Sequence, residues 1–255
     1  MRVTLSTMEL VEHIDTLRAE GMLLADSAEA TGLDAQVPSC PEWTVRDLVR
    51  HLGEVHRWAA SHVIDARETM SVGNFATYPE DDAQLLDWFR EGHAELLQAL
   101  EVADPEGAFY GFLPGGAKGT RFWARRQAHE TTIHRVDAQN VTGLVSPSTT
   151  EFAVDGIDEM LHGFLARRPS RLTSAADPYT FVLVCTDDPQ AWQVAVNGDG
   201  PTTTDDSGEG GTRVYGTAFD LYLLLWNRRP LAGLEVQGPT EGLEHYRAHA
   251  YVRWT

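Results

Sequence analysis

Basic residues are the scarce ones in this chain: 20 Lys+Arg stand against 38 Asp+Glu, a formal charge of -18 over 255 residues. A surface so acidic repels phosphate backbones and anionic headgroups, which disfavours nucleic acids and membrane surfaces as partners. Cysteine is scarce too. Cys40 and Cys185 lie far apart, with neither a secretory leader before them nor a disulfide framework around them. No apolar run approaches the roughly 20 residues of a membrane span. The expectation is a soluble, cytoplasmic protein.

What is present is ordinary for a globular chain, with 42% hydrophobic and 23% charged residues, enough for one large domain or two small ones. Apolar positions at helical spacing predict a first helix from Thr7 to Ala30, carried by Met8, Val11, Ile14, Leu17 and Leu24 and ended at Thr31-Gly32. Two prolines keep Val37–Trp43 out of helix. Thr44, with Asp47 as a weaker form of the capping box, opens a second helix reaching Asp65. A third runs from Pro79 to Val102, a fourth from Arg121 to Val141 and a fifth from Ser148 to Arg167. The loop Phe112–Thr120 lacks the Gly-Lys-Ser/Thr ending and the preceding strand of a phosphate-binding loop; it reads as a connector, with a lid as the alternative.

After Pro169 the texture changes. Tyr179–Cys185, Trp192–Val196, Thr212–Tyr215, Leu234–Gln237 and Tyr251–Trp254 read as short strands, and Ala218–Asn227 and Glu241–Ala248 as helices. Gly198–Gly211, rich in Gly, Thr and acids, reads as a turn or mobile loop. The fold class predicted is α+β in two domains: a four-helix bundle over 1–168 and a small α+β domain with a short-stranded sheet over 169–255.

Chemistry concentrates in Arg125–Asp137. At 3.6 residues per turn, Trp123, Gln127, Glu130, His134, Asp137 and Val141 share one stripe, so only one wall of the helix is expected to matter. Glu and His one turn apart can reach one zinc-like cation. The competing reading is a solvated surface pair. A third ligand must come from elsewhere, and His51, at the edge of the second helix's apolar face, is the candidate, with His56 and His62 competing. Asp137 is placed either behind a ligand, orienting it, or in a pair with Arg135 or another neighbour. Cys40 reads as a buried structural cysteine, with a redox or nucleophilic thiol as the alternative; His129 reads as a helix-face residue rather than a ligand; Trp43 and Trp58 read as bundle packing, with a pocket wall as the second reading.

Three signatures together resemble the mycothiol-dependent maleylpyruvate isomerase family, whose N-terminal domain is similar to the DinB-like metal-binding bundles. They are Cys40-Pro41-Glu42-Trp43-Thr44-Val45-Arg46-Asp47-Leu48-Val49-Arg50-His51-Leu52, then Arg126, Glu130, His134 and Asp137 in the fourth helix, then Leu224-Leu225-Trp226-Asn227-Arg228-Arg229-Pro230 followed by Val236-Gln237-Gly238. The resemblance implies zinc on His51, Glu130 and His134. It also implies an arginine near the C-terminal helix that assists substrate, mapping to Arg228 or Arg229, although Asn227 stands where the pattern has glycine.

Two imidazoles and a carboxylate leave zinc's fourth position open, which suits a thiolate. Nickel or iron would accept the same donors. With mycothiol as the thiol implied by the family, the expected chemistry is cis-trans isomerisation of an unsaturated keto acid by addition and elimination, or S-transfer to a small electrophile. Arg126 and Arg228 are the candidates for holding a substrate carboxylate or steadying an enolate, against the reading of both as surface ion pairs. Two rival classes stand beside this one: a non-catalytic metal-binding protein whose C-terminal domain binds a small molecule, and a metal-dependent hydrolase using bound water.

Overall fold

In a computed structural model of the chain, which describes residues 8–70, 77–114, 116–167, 172, 178–206, 208 and 210–250, the first half folds as four long helices. Helix α1 (Leu10–Thr31) begins at a reciprocal Glu9–Glu12 capping box and ends where Gly32 takes φ 81° and returns its N–H to Ala28. Helix α2 (Val45–Ile64) opens on the Thr44–Asp47 box in full: the Asp47 side chain accepts from the Thr44 N–H at 2.8 Å, and the Thr44 hydroxyl accepts from the Asp47 N–H. Helix α3 (Leu85–Val102) starts later than the sequence pattern implies, because Asp81 caps a 3₁₀ turn, Asp82–Gln84, that precedes it. Helix α4 (Gly119–Gln139) starts two residues earlier than expected, at a glycine with φ 61°.

Helix α1 packs chiefly on α4 and α2 chiefly on α3, while α1 with α3 and α2 with α4 complete the ring of a four-helix bundle. Leu24, Ala28, Val37, Val45, Leu48, Leu52 and Phe89 form its apolar centre. The proline segment before α2 folds as a tight turn in which Val37 N–H bonds to Trp43 at 3.0 Å and Trp43 N–H to Cys40 at 2.8 Å. That turn fixes Trp43 against the start of α2.

One expectation for α4 is corrected. The helix is buried on nearly every side, from Thr120 through Ala138, and not on one wall alone. Pairing offsets part of that burial: Arg135 sits in a two-pronged bond to Glu20, with Nε to Oε2 at 2.5 Å and Nη2 to Oε1 at 3.1 Å, and Thr132 bonds back to Ala128.

The remaining described residues, Leu113, Pro114 and those from Pro147 on, group as a second compact unit, so by contact the division falls ahead of the fifth helix. The sequence-read boundary is 168/169. Helix α5 (Thr150–Asp158), capped by Thr149, runs through a π turn (Glu159–Phe164) into α6 (Leu165–Arg167). A mixed five-stranded sheet follows, in the order β3-β2-β1-β4-β5. Its strands are β1 (Tyr179–Cys185), β2 (Ala191–Asn197), β3 (Gly200–Thr204), β4 (Thr212–Gly216) and β5 (Glu235–Gln237); β1 and β4 are parallel and the other pairs antiparallel.

Strand β3 occupies part of the segment read as a turn or mobile loop. Its Thr202, Thr203 and Thr204 are β-branched and pair with Ala195, Val194 and Gln193, but the tight Asn197–Gly200 turn ahead of them hides the strand in the composition. Helices α7 (Ala218–Leu225) and α8 (Glu241–His249) complete the unit, whose core holds Phe181, Trp192, Val214, Leu221 and Tyr246. The strand read at Tyr251–Trp254 lies outside the described residues. Among the described residues no helix is long and apolar enough to cross a membrane.

Candidate metal centre

Antiparallel packing of α2 against α4 brings His51 beside Glu130 and His134, and one atom from each lies within 4.8 Å of the other two. His51 Nε2 is 3.9 Å, and His134 Nε2 4.0 Å, from the same oxygen, Glu130 Oε1. Donors around one tetrahedral zinc stand about 3.4 Å apart, so these two separations exceed that spacing by about half an ångström. The donor set, two borderline nitrogens and one carboxylate oxygen, also fits such a cation.

Electrostatics favour the ligating forms. Burial acts to raise the Glu130 pKa, but the hydrogen bond to His51 and the charge of Arg126 outweigh it, holding the carboxyl below its ordinary range. Burial lowers the His134 pKa, and Asp137 offsets only part of that. The site therefore offers a carboxylate and, at His134, a neutral imidazole.

Behind His134 stands Asp137, with Oδ2 3.0 Å from His134 Nδ1. An Nδ1–H donated to that carboxylate leaves the lone pair on Nε2, the atom that faces Glu130. The Ser39 hydroxyl donates to the other oxygen, Oδ1. Asp137 thus does not pair with Arg135, whose guanidinium is taken by Glu20. Ser39 was not singled out from the sequence; it meets Asp137 across 98 residues, and no local signal marks such a contact.

Trp43 forms the aromatic side of the cluster, its ring 5.0 Å from that of His51 and 6.4 Å from that of His134. Trp58 instead packs in the core, against Trp123 and His62. The competing histidines are elsewhere: His56 Nε2 meets the Thr131 hydroxyl at 2.9 Å, and His62 Nδ1 meets the Trp58 carbonyl at 3.0 Å. His129 is fully buried beside His13.

Arg126 is buried, with Nε 3.4 Å from Glu130 Oε2, so it is no surface ion pair. Arg228 belongs to the second unit, at the C-terminal end of α7, where Nη1 donates to the Trp226 carbonyl at 2.9 Å. Arg229 pairs with Asp220. Burial pushes the Cys185 thiol up to about 12, which leaves it inert. In the second unit Asp158, His162 and Asp205 also converge. That trio is held by its own bonds, His162 to Asp205 at 2.9 Å and the Trp192 indole to Asp158 at 2.6 Å.

The fold and the cluster define a class: a four-helix bundle with a His-Glu-His group between two of its helices, followed by an α+β unit. The family model for the mycothiol maleylpyruvate isomerase N-terminal domain matches residues 14–139, and the model for the C-terminal domain of the same family matches 151–245. The chain belongs to the mycothiol maleylpyruvate isomerase family. Two crystal structures share its fold. One is of mycothiol-dependent maleylpyruvate isomerase, at 14% identity and TM-score 0.59; the other is of a histidine-to-alanine mutant under the same name, at 13% and 0.60. Each alignment covers 91% of this chain and 95% of the other. A search of curated proteins returned no match.

Proposed function

We propose that this protein is a mycothiol-dependent isomerase in which His51, Glu130 and His134 hold zinc or a similar divalent cation. Cis-trans isomerisation of an unsaturated keto acid such as maleylpyruvate is the favoured reaction, with S-transfer to a small electrophile as its close variant. The convergence of three donor atoms from α2 and α4 within 4.8 Å carries the reading. Family membership supports the choice of thiol and reaction.

When bound, zinc supplies a Lewis acid that ionises a thiol near neutral pH, and mycothiol supplies the thiol that adds reversibly to an activated double bond. Glu130 would bring a negative charge to a bound cation, and the buried Arg126 guanidinium beside it partly balances that charge. Asp137 holds the Nδ1 proton of His134, and Ser39 holds Asp137. Trp43 packs beside both imidazoles. Arg126, whose Nε lies 3.4 Å from Glu130 Oε2, is the guanidinium proposed to bind a substrate carboxylate or steady an enolate.

Metal analysis of the purified protein and of His134→Ala tests the first half of this reading, with one equivalent expected in the wild type and a large loss in the variant. The second half is tested by assaying maleylpyruvate conversion with and without mycothiol. Conversion that ignores the thiol would favour a hydrolase or other water-based chemistry. A metal-loaded protein that neither binds mycothiol nor turns over would favour a non-catalytic binding role.

A further inference from the structure

Gln127 lies on the same stripe of α4 as Glu130 and His134, and it is 1% exposed. Both polar atoms of its amide, Oε1 and Nε2, are buried and have no hydrogen-bond partner among the described residues. Leaving one buried polar atom unpaired costs about 1–3 kcal/mol, and an amide here leaves two. A leucine or methionine would fill similar volume without that penalty, so packing does not account for a glutamine at this position.

Contacts between α2 and α4 locate the amide. His51 meets Glu130 and His134, His56 meets Thr131, and Trp58 and His62 meet Trp123. The two helices therefore run antiparallel, and Gln127 falls between the His51–Glu130–His134 cluster and the Trp58–Trp123 aromatic pair. On the helical wheel it projects between Glu130 and Thr131, the two residues that reach α2. One turn along, the Nδ1 of His56 is another buried atom without a partner among the described residues.

We propose that Gln127 is a ligand-binding residue whose amide pairs with a group on the bound thiol or acid substrate that both donates and accepts hydrogen bonds. The inference rests on the isomerase reading and adds a recognition element beside the proposed metal ligands. A ligand amide, or a hydroxyl beside a carbonyl, satisfies Oε1 and Nε2 at once. A bare carboxylate satisfies Nε2 alone. The amide acts on binding and orientation and takes no proton or electron pair.

Gln127→Leu and Gln127→Met separate this role from a structural one. Each variant is measured for zinc stoichiometry, for thermal midpoint of the metal-free protein, and for calorimetric affinity toward mycothiol and toward maleylpyruvate in separate titrations. Wild-type zinc content, an unchanged or raised midpoint, and roughly tenfold weaker binding of one of the two ligands are expected. The titration that weakens identifies which ligand carries the group. Unchanged affinity for both ligands in folded variants overturns the proposal, as does a lowered midpoint with loss of zinc, which would mark an amide satisfied inside the core by water. If wild-type protein binds neither zinc nor mycothiol, the isomerase reading fails. The midpoints then still report whether the amide is unpaired in the free protein.

Discussion

His134 carries the closest reasoning at the scale of single residues, because its two ring nitrogens have different tasks. Nδ1 faces Asp137 at 3.0 Å and Nε2 faces Glu130. Asp137→Asn keeps the shape but can present its amide N–H to Nδ1, favouring the wrong tautomer. Zinc affinity is expected to fall by about 10- to 100-fold with little change in helix content, as competition with a chromogenic chelator would show. Ser39→Ala should act in the same direction and more weakly, since it removes one support of Asp137. Equal affinity in wild type and Asp137→Asn would detach Asp137 from the site.

Among the elements, the starts of α2 and α4 are the most constrained. Thr44→Ala removes the side-chain acceptor of a capping box and should cost about 1 kcal/mol in chemical denaturation. Gly119→Ala should be far worse, about 3 kcal/mol or more, because a Cβ there would sit 1.5 Å from the Gly107 carbonyl oxygen in a backbone with φ 61°. The loop before α4 thus fixes where the helix bearing Glu130 and His134 begins. At the end of α7, Asn227 has φ 58° and exchanges two hydrogen bonds with Arg247, at 2.9 and 3.0 Å. Asparagine tolerates this left-handed conformation better than most residues.

Across the whole molecule, burial lowers the pKa of His56, His62 and His93, with His56 well below 6.5. Each stays neutral to lower pH in the folded protein than in the unfolded chain, which takes up protons as pH falls through about 6.5. Their stabilising effect is complete above that value and is lost progressively below it. The thermal midpoint of the metal-free protein should therefore drop between pH 7.5 and 5.5, and His56→Phe should flatten that slope. A midpoint independent of pH over this range would contradict the assignment of neutral buried histidines.

Helix periods, caps and strand composition are local properties, so α1 to α4, β1 and β2 could be read from the chain alone, as could the α+β class. Glu130 and His134 were legible for the same reason, one helical turn apart, and His51 became so through the resemblance. Strand β3 was missed because its pairing with β2 is not written in its own Gly- and Thr-rich residues. The burial of α4 on nearly every side, the Ser39–Asp137 bond and the Gln127 amide without a partner among the described residues were likewise settled only by folding. Each depends on which distant side chain arrives opposite, and a one-dimensional period records the direction a residue faces without recording what it meets.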